Sequence, residues 1–145
     1  MALPEPVNGL VIRYAYLWHW EFARGAEEGT KDRPCAIILA TQQTDGGKLV
    51  TVLPITHAPP SDSNSAIEIP AETKRRLGLD SRRSWVVLTE LNRFVWPGPD
   101  LRFAESGDST SVGYGILPSG FFRQLRDQFI VSLGAGKTKI VPRTN

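Results

Sequence analysis

Apolar positions along this chain fall mostly into short blocks of β-branched and aromatic residues, separated by turn-forming residues. Such blocks predict strands, because branched and aromatic side chains pack well on a pleated surface. Residues 9–18 read as the first strand, with Arg13 interrupting an otherwise apolar run. Residues 31–40 and 50–57 read as the second and third. Between them Asp45-Gly46-Gly47 signals a hairpin turn, since Gly accepts the positive φ that such turns need. In an antiparallel hairpin the entrance of one strand lies beside the exit of the other. Arg33 is therefore predicted to meet Thr56 and His57 at one edge of the sheet.

The rest of the pattern is shorter-ranged. Residues 1–8 are proline-rich and predict an extended N-terminal segment. Residues 19–30 hold Gly25 and Gly29 and no strand pattern, which predicts a long loop with Glu27 and Glu28 toward solvent. Residues 58–65 read as a loop, residues 66–69 as a short strand ended by Pro70, and residues 71–77 as a short helix stopped at Gly78. Residues 84–89 form the next strand, and residues 90–96 continue it or pair with it. Residues 101–113 are polar and read as loop. Phe122, Leu125, Phe129 and Leu133 recur at helical spacing, with Gly134 as a stop, and predict a C-terminal helix. Residues 136–145 read as a tail with extended character at Ile140 and Val141. The sum is one domain over residues 1–145, mainly β, with a C-terminal helix. A strongly bent antiparallel sheet or small barrel satisfies it.

Composition narrows the class. At 145 residues the chain can bury a core of useful size, and 41% hydrophobic with 22% charged content is that of a globular protein. No apolar run reaches the roughly 20 residues of a membrane span. The first residues lack the basic start and apolar middle of a signal peptide. Cys35 is a lone cysteine inside an apolar strand and cannot form an internal disulfide. A cytoplasmic setting without membrane association is expected. The net charge of +2 gives no global field for nucleic acid, so any such contact must rest on local patches. One cysteine and two separated histidines offer no metal-ligand spacing, and no phosphate-binding glycine motif is present. Neither a metal nor a cofactor is expected.

In their order and spacing, several blocks resemble the MazF/PemK (Kid-type) toxins of bacterial type II toxin–antitoxin modules. They are Gly9-Leu10-Val11-Ile12, Arg33-Pro34-Cys35-Ala36-Ile37-Ile38-Leu39 and Val50-Thr51-Val52-Leu53-Pro54-Ile55-Thr56. Later come Val86-Val87-Leu88-Thr89-Glu90-Leu91-Asn92-Arg93, then Gly115-Ile116-Leu117-Pro118 leading into the last helix. The resemblance implies a small SH3-like barrel of the CcdB/MazF/PemK type, usually a homodimer. It implies metal-independent cleavage of single-stranded mRNA, and a cognate antitoxin whose C-terminal segment masks the RNA groove. The Trp18-His19-Trp20 cluster and the length of residues 100–113 depart from the family pattern.

Cleaving RNA without metal needs a base for the 2′ proton, donors for the crowded phosphate and an acid for the leaving oxygen. Arg33 suits the phosphate, because its guanidinium stays charged and can donate twice to one anion. Thr56 could add a hydroxyl donor. The resembled family holds the matching arginine and threonine to be catalytic. Without that, Arg33 also reads as a solvated residue before proline and Thr56 as an ordinary strand-end threonine. His19 is a candidate acid or base, its loop able to fold over the groove. Glu90 is a candidate base or a plain exposed carboxylate, at a place where the PemK branch carries an acid. His57 follows Thr56 and alternates to the opposite side if the strand continues that far. It joins Lys31, Arg75, Arg76 and Arg93 as a candidate RNA contact, and Lys74, Arg75, Arg76, Arg82 and Arg83 form the densest basic region. Trp18, Trp20 and Trp96 are possible stacking platforms, or core and dimer contacts. The alternative is a non-catalytic barrel that binds an antitoxin peptide or a protein target such as DNA gyrase. A generic single-stranded nucleic-acid binder is a third possibility.

Overall fold

The computed structural model describes residues 3–104 and 111–143. Its elements are β1 (Leu10–Tyr14), α1 (His19–Ala23), β2 (Arg33–Gln42), β3 (Lys48–Thr56), β4 (Ala66–Glu68), α2 (Ala71–Arg76), β5 (Trp85–Val87), β6 (Glu90–Val95), β7 (Leu101–Arg102), β8 (Gly113–Ile116), α3 (Ser119–Gly134) and β9 (Lys139–Pro142). The protein is mainly β, with one large, mostly antiparallel sheet and a C-terminal helix.

The predicted hairpin is the spine of the fold. Gly46 has φ of +89° in its turn, a conformation that suits glycine. Cys35 pairs with Pro54 and Ile37 with Val52, and the register then shifts between Ile37 and Leu39. A bulge at this place adds twist and bends the strand. β3 pairs with β2 along one side. On its other side it pairs with β6 through residues 49–52 and with β5 through Ile55 and Thr56. β1 pairs with β2, and then with β7 and β8.

The alternation of side chains sends two sets of residues to opposite faces. Ala36, Leu53 and Ile55 join Leu125 and Phe129 of α3 in one core. Cys35, Ile37, Val50 and Val52 join Tyr14, Tyr16 and Phe94 in the other, where Tyr14 and Phe94 stack at 4.6 Å. Among the described residues the strands do not close into a barrel. Between β6 and the segment after β1, side chains stand in for a ladder. Asn92, fully buried, donates its amide to the Leu17 carbonyl at 2.7 Å and accepts from the Leu17 N–H at 2.9 Å. Arg143 adds a bond to the Ala15 carbonyl at 2.9 Å.

Four expectations change. The first strand stops at Tyr14, because Ala15 to Leu17 find these side-chain partners instead of a strand. Residues 19–30 begin with α1 rather than loop alone. Glu21 is buried and takes the Trp18 N–H at 3.0 Å, so one acid reaching back starts the helix. Residues 136–145 are not simply a tail. β9 adds in parallel to β6, with Val141 in the core and Arg143 buried. Residues 101–113 contribute β7 and the start of β8, while 105–110 lie outside the described residues. Among the described residues no helix is long and apolar enough to cross a membrane.

Candidate active site

Arg33 opens β2 and Thr56 ends β3. The register that pairs Cys35 with Pro54 carries Arg33 opposite Thr56 two residues further on. The Arg33 guanidinium donates through Nη1 to the Ile55 carbonyl at 3.3 Å. Its central carbon lies 4.8 Å from the Trp18 ring centroid, so the flat group is held against an aromatic face. Nε of Arg33 is buried and has no acceptor among the described residues. An arginine has five N–H donors; with Nε enclosed and one Nη1 hydrogen on Ile55, the other terminal hydrogens are left for an anion. Thr56 Oγ1 accepts from the Ala58 N–H at 3.1 Å, which leaves its own hydroxyl hydrogen to donate.

A cavity of about 640 Å³ opens beside this pair. Its wall carries Arg13, Lys31, Arg33, Lys74 and Arg82, against the carboxylates of Asp32 and Asp80. Asp32 is held by Arg13 at 3.8 Å and by Arg102 at 3.6 Å. Cations thus outnumber acids here, although the whole chain is nearly neutral.

His57 lines the same wall as Thr56, since the strand continuation that opposite sides would require is absent. β3 ends at Thr56 and the chain bends, so strict alternation no longer applies at His57. His57 Nε2 lies 2.7 Å from Asp80 Oδ2. The other oxygen of Asp80 accepts from Lys74 Nζ at 2.6 Å and from the Arg82 N–H at 3.1 Å. Lys74 is only 5% exposed. A buried ammonium is costly unless all its donors are matched. Here Nζ also reaches Ser84 Oγ at 2.6 Å and the Arg82 carbonyl. Partial burial pushes the Asp80 carboxyl upward. The hydrogen bonds and charges of Lys74 and His57 outweigh it and hold the group below the usual carboxylate range.

The other predicted site residues are distributed differently. Lys31 lines the cavity; His19 and Glu90 do not. Those two meet each other instead, Glu90 Oε1 accepting from the His19 backbone at 2.9 Å and from the Tyr16 hydroxyl at 3.1 Å. Burial and the Glu90 charge push the Tyr16 phenol up, so it remains a donor. Tyr16 packs edge-on to Trp18 at 5.1 Å, and Trp18 lies over Arg33. Glu90 is therefore linked to the stacking partner of Arg33 through Tyr16. Arg75 pairs with Glu72 and lines a neighbouring groove that shares Lys74, Asp80 and Arg82. Arg76 is exposed on α2 and lines neither. Arg93 sits on β6 opposite Thr51 and Pro142, away from the cavity. Burial pushes the Cys35 thiol up, and it takes no part in the site. Among the described residues no group of three His, Cys, Asp or Glu side chains is placed to hold a metal ion.

Sequence reasoning passed over Asp80, and named Lys74 only as one member of a basic region. The signal was Gly78, with φ of +70°, which turns the chain so that residue 80 falls back beside residue 74. No protein-family model and no curated protein matches this chain.

Proposed function

We propose that this protein is a MazF/PemK-type toxin, an endoribonuclease that cuts single-stranded RNA without metal. The observation that carries the proposal is the meeting of Arg33 and Thr56 across the hairpin, on the wall of a cation-rich cavity. A guanidinium with unused donors, held flat by Trp18, suits the non-bridging oxygens of a phosphate as negative charge grows on them. The Thr56 hydroxyl donates to the same group. The 2′-hydroxyl gives its proton to a base as its oxygen attacks phosphorus, the new 2′-O–P bond forms, and the P–O5′ bond breaks. The 5′-oxygen leaves with a proton taken from water, and a 2′,3′-cyclic phosphate stays on the other fragment.

The same proposal takes the bent sheet as an SH3-like barrel whose seam is closed by Asn92 and Arg143, and the setting as cytoplasmic. It includes a homodimer, for which the exposed Ile130 and Val131 of α3 offer apolar surface. It also includes an antitoxin whose C-terminal segment covers the cavity.

The test uses purified protein, unstructured RNA and a chelator, with the ends mapped. Cyclic phosphate and 5′-hydroxyl ends are expected. Arg33→Ala is expected to keep its circular dichroism spectrum and to cut on the order of 10²-fold more slowly. A strict need for added divalent metal, or full activity in Arg33→Ala, overturns the proposal.

A further inference from the structure

His57, Asp80 and Lys74 form a chain of contacts on the cavity wall for which phosphate binding alone gives no reason. Lys74 is buried with its three donors matched, and one of them fixes Oδ1 of Asp80. The second oxygen, Oδ2, is thereby aimed at His57 Nε2, 2.7 Å away. Asp80 is ionised near neutral pH and can only accept. A neutral His57 must therefore carry its proton on Nε2, which leaves the lone pair on Nδ1. The hydrogen bond sets both the tautomer and the orientation of the ring. Thr56 is the preceding residue, and its β3 end is bonded to Arg33 through the Ile55 carbonyl. An imidazole oriented by a carboxylate thus lines the same cavity as the guanidinium assigned to the phosphate.

We infer that His57 is the general base of the reaction at this site, with Asp80 and Lys74 as positioning residues, an inference that rests on the ribonuclease reading above. His57 Nδ1 takes the 2′-hydroxyl proton as the 2′-oxygen bonds to phosphorus. The ring becomes imidazolium, and Asp80 carries the balancing charge. The P–O5′ bond breaks, the 5′-oxygen takes a proton from water, and His57 later returns its own to solvent. The other charged groups lining the cavity with His57 are Arg13, Lys31, Arg33, Lys74 and Arg82, with Asp32 and Asp80 on the acidic side.

The experiment compares wild type, Arg33→Ala, His57→Ala and Asp80→Ala on one RNA across pH. A 2′-O-methyl RNA of the same sequence serves as the binding probe, and circular dichroism checks folding. His57→Ala is expected to lose about 10²–10⁴-fold in cleavage rate and to lose the rise of rate with pH that a base imposes. Its affinity for the methylated probe stays within about twofold, the scatter of an unperturbed contact. Asp80→Ala is expected to lose on the order of tenfold or more. Nitrogen-15 spectra of wild type should show His57 protonated on Nε2 alone when neutral, a preference lost in Asp80→Ala. Wild-type rates and an unchanged pH profile in His57→Ala, beside an inactive Arg33→Ala, sink the base assignment and leave the ribonuclease reading standing. An Nδ1-protonated ring in wild type sinks it too, even if Asp80→Ala proves too unstable to assay. Wild type that cuts no RNA removes both.

Discussion

At the scale of single residues, the site depends on groups whose freedom has been removed by neighbours. Trp18 and the Ile55 carbonyl fix Arg33, and Lys74 fixes Asp80. The second case has a consequence in acid. The folded state holds the Asp80 carboxyl below its ordinary value, so folding favours the ionised form. That stabilisation is complete above the unfolded value of about 3.9 and disappears as pH falls through the lower folded value. Below that point a neutral Asp80 also leaves the buried Lys74 ammonium without its countercharge. The melting temperature of wild type is expected to exceed that of Asp80→Ala most above about pH 5, and the gap is expected to narrow as pH falls below the unfolded value of about 3.9. A gap that stays constant from pH 7 to pH 3 rules this out. Asp80 is half exposed, and solvent screening keeps the effect modest. Arg33 and Thr56 were legible in sequence because strand pairing alone determines that they meet. Asp80 was not, because its role depends on a lysine being buried, and sequence gives no sign of which of several basic residues goes inside.

Among the elements, α3 shows how far periodicity carries. Phe122, Leu125 and Phe129 do face the sheet, as the three–four spacing requires. Leu133 continues the same spacing but is 44% exposed, and Ser132 is the buried residue of the last turn. Ser132 bonds to the Leu88 carbonyl at 3.2 Å and to Thr138 at 2.9 Å, so the helix end is anchored by polar contacts. A search for apolar repeats cannot see such an anchor. Leu125→Ala is expected to cost about 2–5 kcal/mol in urea unfolding, since the side chain is fully enclosed. Leu133→Ala is expected to stay within about 0.5 kcal/mol. Comparable losses at both positions contradict the observed packing. The same limit applied to residues 136–145 and 19–30. β9 is recruited by an open edge of β6, and α1 starts from one buried glutamate; neither has a local pattern long enough to read.

For the whole molecule, the question is what joins the first strand to the end of the chain when no ladder does. Arg143 answers much of it. Its guanidinium bonds to the Ala15 carbonyl, to Asn92 Oδ1 at 3.1 Å and to Asp100 Oδ2 at 2.9 Å, and its side chain is only 3% exposed. Asp100 itself accounts for a further link, its carbonyl accepting from the Ala15 N–H at 2.9 Å. One buried cation therefore connects segments near residues 15, 92 and 100. Removing it takes this donor from the Asp100 carboxylate and the Ala15 carbonyl inside the protein, while Asn92 Oδ1 keeps the Leu17 N–H. Breaking a buried pair in this way costs about 3–5 kcal/mol, because the remaining charge stays desolvated. Arg126, which pairs with Asp127 on the surface of α3, is the control, and its loss is expected to cost no more than about 1 kcal/mol. Urea unfolding of Arg143→Ala and Arg126→Ala measures the difference. In the double variant Arg143→Met with Asp100→Leu, no charge is left unpaired, and much of the lost stability is expected to return. Equal, small losses in the two single variants would show that the sheet holds its ends together without Arg143.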